Sequence, residues 1–225
     1  MSSYNLKRLL QPKSIALFGG LWIENVANQI KNSNFKGNVW PINPHRKSIA
    51  GYKCFQDISD LPGVPDTAFI GVNRTKTLEI LTKLNEVGCG GATCFAAGFS
   101  EVDKYGKQLQ KKLSKASKDM PFLGPNCYGY INYLDHIHMW PDQHGGKEVE
   151  KGVAIIAQSS NIAINLTMNT RSTPIAYVLT TGNQAKIDMS DLGLAMINDK
   201  RVTAIGIYIE GFKDIKKFEK MAFSA

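Results

Sequence analysis

The feature that most constrains the fold is a repeated unit. A short β-rich apolar run ends in a glycine or other small residue, and a stretch with apolar residues at helical spacing follows. This alternation predicts parallel βαβ units rather than an all-helical or all-β chain. The first run is Ser14–Phe18, closed by Gly19-Gly20, and its helix carries Ile23, Val26, Ala27 and Ile30 on one face. The second is Asn38–Ile42, where Pro41 predicts an edge or strand-end position. Thr67–Val72 is the third, with Leu78, Leu81, Leu84 and Val87 on its helix. Gly91–Phe95 is the fourth, with Tyr105, Leu109, Leu113 and Ala116 following, and Pro121–Leu123 is the fifth.

Residues 135–151, rich in His, Asp, Lys and Gly and without periodicity, read as a linker. The rhythm then restarts with Gly152–Ile156 and a helix through Ile162, Leu166 and Met168. Strands at Ile175–Leu179 and Val202–Ile209 enclose a helix over about Met189–Ile197. The expectation is two α/β domains, a Rossmann-like one over 1–134 and a smaller one over 152–225. Three strands in the second would leave a sheet edge uncovered, which predicts association with further polypeptide.

Charge and cysteine usage narrow the function classes. The net charge is +8, with 17 basic against 11 acidic residues before Gly145 and 10 against 8 after it. A basic first half suits an anionic partner. That partner could be nucleic acid or a polyphosphate cofactor. Only five basic residues are arginine and no helix-turn-helix, RRM or zinc-finger pattern is present, so most of the charge reads as lysine on solvated helix faces and nucleic acid is the weaker reading. Cys54, Cys89, Cys94 and Cys127 form no Cys-x-x-Cys pair and no metal-ligand spacing with the histidines. No apolar run reaches the ~18 residues of a membrane span, and Met1–Leu10 has no secretory apolar core. A cytoplasmic protein with no metal site and no membrane partner is expected.

Ligand candidates lie where the strands end. Gly19 and Gly20 directly precede a helix, a place where backbone can approach a phosphate and free N–H groups can bind it. A tight turn without ligand explains the same glycines. Asn43-Pro44-His45-Arg46-Lys47 puts basic residues where a classical NAD site has an acidic one. That points away from NAD and towards a ligand with an extra phosphate, NADP or coenzyme A; a solvated charge cluster fits the same spacing equally well. Gln158-Ser159-Ser160-Asn161 joins a strand to a helix, fitting either a phosphate site or an ordinary serine cap.

Seven segments in order carry a resemblance: Leu10–Gly19, Phe35–Pro44, Ala97-Gly-Phe-Ser-Glu101, Leu123–Cys127, Gln158-Ser159, Thr181-Gly-Asn183 and Ile209-Glu-Gly211. Together the set resembles the NDP-forming acyl-CoA synthetases, relatives of the succinyl-CoA synthetase α subunit. The resemblance implies a Rossmann-like CoA-binding domain followed by a flavodoxin-like ligase domain. It also implies a reaction that joins a carboxylic acid to CoA using ATP, through a phosphohistidine and an acyl phosphate. ATP and Mg²⁺ would be held by an ATP-grasp domain or subunit outside this chain. By the same resemblance, Gly19 and Gly20 lie against the CoA nucleotide, with Asn43, Pro44, Arg46 and Lys47 near its phosphates. Val72, Ala97, Gly98 and Phe99 line the cofactor, and Gly98 and Asn126 flank its thiol end. Ser159, Ser160 and Asn161 start the helix that holds the phosphoryl group, and Glu210 is the carboxylate that pairs with the phosphohistidine.

The sequence also departs from the family pattern. Ala157-Gln-Ser-Ser160 stands where Ser-Gln-Ser-Gly is usual, and Ala27 replaces a helix-start glycine. None of His45, His136, His138 and His144 has the phosphohistidine context, and His144 is the only tempting substitute. The piece is therefore expected to bind CoA without turning over alone. A synthetase-like part of a protein acetyltransferase and a CoA- or dinucleotide-binding regulatory module are the alternatives.

Overall fold

A computed structural model of the chain describes residues 4–169 and 171–225, so Met1–Ser3 of the amino-terminal stretch considered above lie outside the described residues. The elements are α1 (Lys7–Leu10), β1 (Ser14–Gly19), α2 (Leu21–Asn32), β2 (Asn38–Ile42), β3 (Ser48–Ile49), β4 (Tyr52–Lys53), β5 (Thr67–Gly71), α3 (Arg74–Glu86), β6 (Ala92–Cys94), α4 (Lys104–Ala116), β7 (Phe122–Leu123), β8 (Tyr130–Asn132), β9 (Ile137–Met139), β10 (Gly152–Ala157), α5 (Ser160–Thr167), β11 (Ile175–Thr180), α6 (Met189–Ile197), β12 (Val202–Tyr208) and α7 (Ile215–Ala222). Among the described residues no helix is long and apolar enough to cross a membrane.

The first sheet is wholly parallel, in the order β2-β1-β5-β6-β7. Its central strands are covered on both faces, and so they read as unbroken apolar runs: Ser14–Phe18 and Thr67–Ile70 are buried throughout. Pro41 lies on β2, the edge strand, where a missing N–H costs least. The strand order reverses between β1 and β5, the place where a doubly wound sheet opens a crevice. The four apolar residues expected on α2 are its buried face. On α4 the buried residues are Gly106, Leu109 and Leu113, while Tyr105 faces solvent and lies over the Arg74 guanidinium.

The second sheet corrects the three-strand expectation. Its order is β12-β10-β11-β8-β9, with β12, β10 and β11 parallel and the β8–β9 hairpin antiparallel to them. The stretch 135–151, read above as a linker, therefore contains a sheet strand. That hairpin also packs on the first layer. Asn25 Nδ2 donates to the Pro141 carbonyl (3.1 Å), Gln29 Nε2 to that of Asp142 (2.7 Å) and Ser33 Oγ to that of His136 (2.6 Å). From the hairpin, Tyr130 Oη bonds the Leu9 carbonyl and Asn132 Nδ2 that of Leu10 (3.1 Å). One apolar core accordingly runs from Ile15, Leu17 and Ile23 through Met139 to Tyr177 and Leu192. Its edge strands are β12 and β9. On α5 the buried residues are Ala163 and Thr167, and the expected Leu166 and Met168 are exposed.

Candidate functional site

The crevice lies at the carboxyl ends of β1, β2 and β5 and encloses 380 Å³. Gly19 and Gly20 form its floor, and Asn43, Pro44, His45 and Val72 line it. Gly19 has φ +142°, and a Cβ there would stand 2.5 Å from the Gly71 carbonyl oxygen, so no other residue fits this turn unstrained. Gly20 is the N-cap of α2 and offers no side chain to its first turn. A Cβ on Gly20 would meet no atom within 4 Å. The helix start thus faces open space with the unpaired N–H groups and positive dipole end that favour a phosphate. Asn43 holds this geometry: its Nδ2 donates to the Gly19 carbonyl (2.7 Å), and its Oδ1 accepts from the His45 amide (2.9 Å).

The structure does not bring every expected cation into the crevice. The Arg46 guanidinium turns onto Glu24 in the first turn of α2, at 2.7 and 3.2 Å. That bond holds the Glu24 carboxyl below its ordinary range. Lys47 is exposed and, like Arg46, does not line the cavity. The cationic wall comes from α3: Lys76 and Lys83 line the crevice, with Lys83 Nζ 3.0 Å from Asp57 Oδ2. The Ser59 amide and then Lys83 lower the Asp57 carboxyl. These three residues were missed. The one signal for the two lysines is the seven-residue spacing that puts Lys76 and Lys83 on one helix face.

Further along the same edge, Gly98 takes φ +94° and Asn126 φ +59°. Ala97 is exposed and Phe99 buried, and the Asn126 amide donates to the Ala96 carbonyl at 2.9 Å. Trp22, 42% exposed, lies 4.9 Å from Phe95 between ring centroids, and Phe95 lies 5.7 Å from Tyr128. A strip of rings thus leads from the start of α2 towards the second sheet. There Ser159 caps α5, accepting from Ile162 N at 3.5 Å, and Ser160 Oγ accepts from Tyr128 N at 3.2 Å. Asn161 is exposed on the first turn. Gln158 Oε1 accepts the amides of Glu210 (2.7 Å) and Gly211 (2.9 Å), which fixes Glu210 beside the α5 start. Ser159, Ser160, Asn161 and Glu210 therefore form one constellation at the ends of the adjacent strands β10 and β12.

His144 stands apart from it. Its Nδ1 lies 2.9 Å from Tyr133 Oη, its ring packs edge-on against His138, and the neighbouring Gly145 amide bonds Thr167 at the far end of α5. Eight residues of helix span about 12 Å. Burial lowers the His144 pKa and pushes that of His138 down to about 3. The geometry gives no support to His144 as a substitute, in line with a structural histidine.

The molecule is a pair of α/β layers, each with a phosphate-type helix start at the carboxyl ends of its strands. The description "CoA binding domain" matches residues 13–133, and "Succinyl-CoA ligase like flavodoxin domain" matches residues 150–225. The chain belongs to the family of the NDP-forming acyl-CoA synthetases, with the CoA-binding domain first and the flavodoxin-like domain second. It is 33% identical to an acetate–CoA ligase [ADP-forming] of Methanocaldococcus jannaschii, over 97% of this chain and 31% of that protein. It is 28% identical to the α subunit of acetate–CoA ligase [ADP-forming] II of Pyrococcus furiosus, over 96% of this chain and 49% of that subunit. The solved apo structure of the dinucleotide-forming acetyl-coenzyme A synthetase 1 of Ca. Korarchaeum cryptofilum superposes with TM-score 0.86 at 28% identity, over 97% of this chain and 49% of that one. The chain thus spans about a third to a half of the relatives it matches.

Proposed function

We propose that this chain is the CoA-binding part of an ADP-forming acyl-CoA synthetase, an acid–thiol ligase that joins a carboxylic acid to CoA with ATP. The observation that carries the reading is the crevice at the β1/β5 switch point. Its glycine floor, uncapped helix start and lysine wall suit a phosphorylated nucleotide. Open space around Gly20 fits a diphosphate at the α2 start. Gly19, Gly20, Asn43, Pro44 and Val72 would hold the nucleotide, and Arg46 and Lys47 would reach its phosphates from the rim once Arg46 leaves Glu24. Ala97, Gly98, Phe99 and Asn126 would border the thiol end. Ser159, Ser160 and Asn161 would bind a phosphoryl group, and Glu210 would orient the phosphohistidine.

In this reading the phosphohistidine and acyl phosphate split one hard condensation into covalent steps. ATP and Mg²⁺ are assigned to an ATP-grasp domain or subunit. The chain alone binds CoA without turnover, because none of its four histidines stands at the α5 start. Thermal-shift and calorimetric titrations with CoA, NAD and NADP test the assignment. Micromolar stabilisation by CoA, with little from the other two, is expected. Tight NAD binding with indifference to CoA would overturn the reading, and so would turnover of CoA, ATP and an acid by this chain alone.

A further inference from the structure

The loop that follows β6 is tied across the molecule to the loop that follows β11. The Glu101 carboxylate accepts the Gly98 amide at 2.6 Å, the Phe99 amide at 3.2 Å and, from the second sheet, Asn183 Nδ2 at 2.5 Å. The same Asn183 amide donates to Gln110 Oε1 on α4 at 3.0 Å. Its backbone N–H donates to the Pro125 carbonyl, and Ala185 N to that of Gly124, both at 2.9 Å. From the other side, Arg74 of α3 donates to the Gly98 carbonyl at 2.6 Å. Burial pushes the Glu101 carboxyl up, but the bonds from Asn183 and the two amides outweigh it and hold the group ionised.

Two consequences follow from this arrangement. Adjacent amides beside a positive-φ glycine form a concavity suited to an anion. Here that concavity is filled from within by Glu101, so Gly98 and Phe99 present their amides to the chain rather than to a ligand. The occupying carboxylate also takes its third partner from the other sheet. Any shift of the Thr181–Ala185 loop therefore pulls on the loop that borders the crevice.

We propose that Glu101 and Asn183 form an interdomain latch of positioning residues, which sets the loop 97–101 in its CoA-accepting shape only when the second sheet is docked. The proposal rests on the CoA assignment above and adds to it how one domain controls the site on the other. Its chemistry is directional: Glu101 accepts and Asn183 donates. Asn183→Asp puts two carboxylates face to face and breaks the latch. Adding Glu101→Gln restores it with roles reversed, because the new amide then donates to the carboxylate introduced at position 183 while its oxygen keeps the Gly98 and Phe99 amides.

The test measures CoA affinity by calorimetry, and melting temperature, on the whole chain. N183D is expected to weaken CoA about tenfold, and E101Q/N183D to recover to within about threefold of wild type. Should N183D fail to fold, Asn183→Ala, which removes the donor without repulsion, is expected to weaken CoA about threefold. Wild-type affinity in N183D or in N183A would overturn the latch, and so would a double variant no better than N183D. If the unsubstituted chain fails to bind CoA, the functional assignment fails instead, which separates the two failures.

Discussion

Gly19→Ala and Gly20→Ala are neighbouring substitutions with opposite expected outcomes. At Gly19 the backbone has φ +142°, a region that only glycine occupies readily and that costs other residues about 1–3 kcal/mol. The added Cβ would lie 2.5 Å from the Gly71 carbonyl oxygen, roughly 1 Å inside ordinary contact. Gly19 and Gly71 are paired across β1 and β5, so neither can yield without opening the ladder. Overpacking against backbone adds about 1–3 kcal/mol, and alanine's smaller unfolded-state entropy offsets about 0.4–1 kcal/mol. The net is about 3 kcal/mol, which in a chain this long corresponds to a melting temperature lower by about 6–12 °C. Gly20→Ala meets no atom within 4 Å, so its melting point is expected within about 2 °C of wild type. That methyl nevertheless stands where a phosphate would approach the α2 start, and CoA affinity is expected to fall at least tenfold. Differential scanning calorimetry and titration calorimetry on both variants decide it. A Gly19→Ala protein melting within 2 °C of wild type would refute the steric reasoning, and full CoA affinity in Gly20→Ala would place the phosphates elsewhere.

Other consequences are accessible to simple assays. Arg201 holds Asp135 (2.8 Å) and Asp199 (2.9 Å), joining the β8–β9 turn to the start of β12, and Arg201→Ala is expected to cost about 2 kcal/mol after allowance for partial solvent exposure. Arg201 lowers the Asp199 carboxyl, and it lowers that of Asp135 against a burial that pushes it up. Depressed carboxylates stabilise above their unfolded pKa of ~3.9 and lose that contribution as pH falls through their lower folded values. The gap between wild type and Arg201→Ala in urea unfolding is thus expected to shrink between pH 5 and pH 2, and a pH-independent gap counts against the ion-pair account. Burial pushes the Cys89 thiol up to about 11 and Cys127 to about 12, and Cys94 is fully buried, while Cys54 is only half-buried. A thiol reagent at pH 8 is therefore expected to titrate Cys54 alone in the native protein and all four cysteines in denaturant; fast native reaction of Cys94 or Cys127 would show that this core opens.

Elements that leave a periodic trace are legible in the sequence. Strands covered on both faces, such as Ser14–Phe18 and Ile175–Leu179, show as apolar runs, and α6 matched Met189–Ile197. The β8–β9 hairpin left no such trace because each strand has three residues, too few for alternation to register. Its His138 is also buried, although histidine there reads as loop composition. On α5, Leu166 and Met168 were expected inside and are exposed, Ile162 is partly buried, and the buried positions are the small Ala163 and Thr167. At the site, glycines forced by backbone geometry were legible, whereas the partner of a flexible cation was not. Arg46 took the nearby Glu24, and the crevice lysines came from a helix that begins after β5.

The loop between β7 and β8 ties the two sheets together. Asn126 N bonds Ala96 in the first layer, the Pro125 carbonyl accepts Asn183 N from the second, and Tyr128 N reaches Ser160 at the α5 start. Within four residues the chain is thus anchored to the crevice edge, to the β11 loop and to the phosphate-type helix start. Bringing a thiol to an acyl phosphate needs the reacting atoms held near ~3 Å, and placement errors of about 1 Å can cost a hundredfold in rate. A long flexible connection could not keep that spacing. A short segment pinned on both sides can, and the Asn126 side chain on it is exposed. On the proposed function, coupling between the domains therefore runs through this segment and the Glu101–Asn183 bond together, because both end on Asn183 in the second sheet's loop.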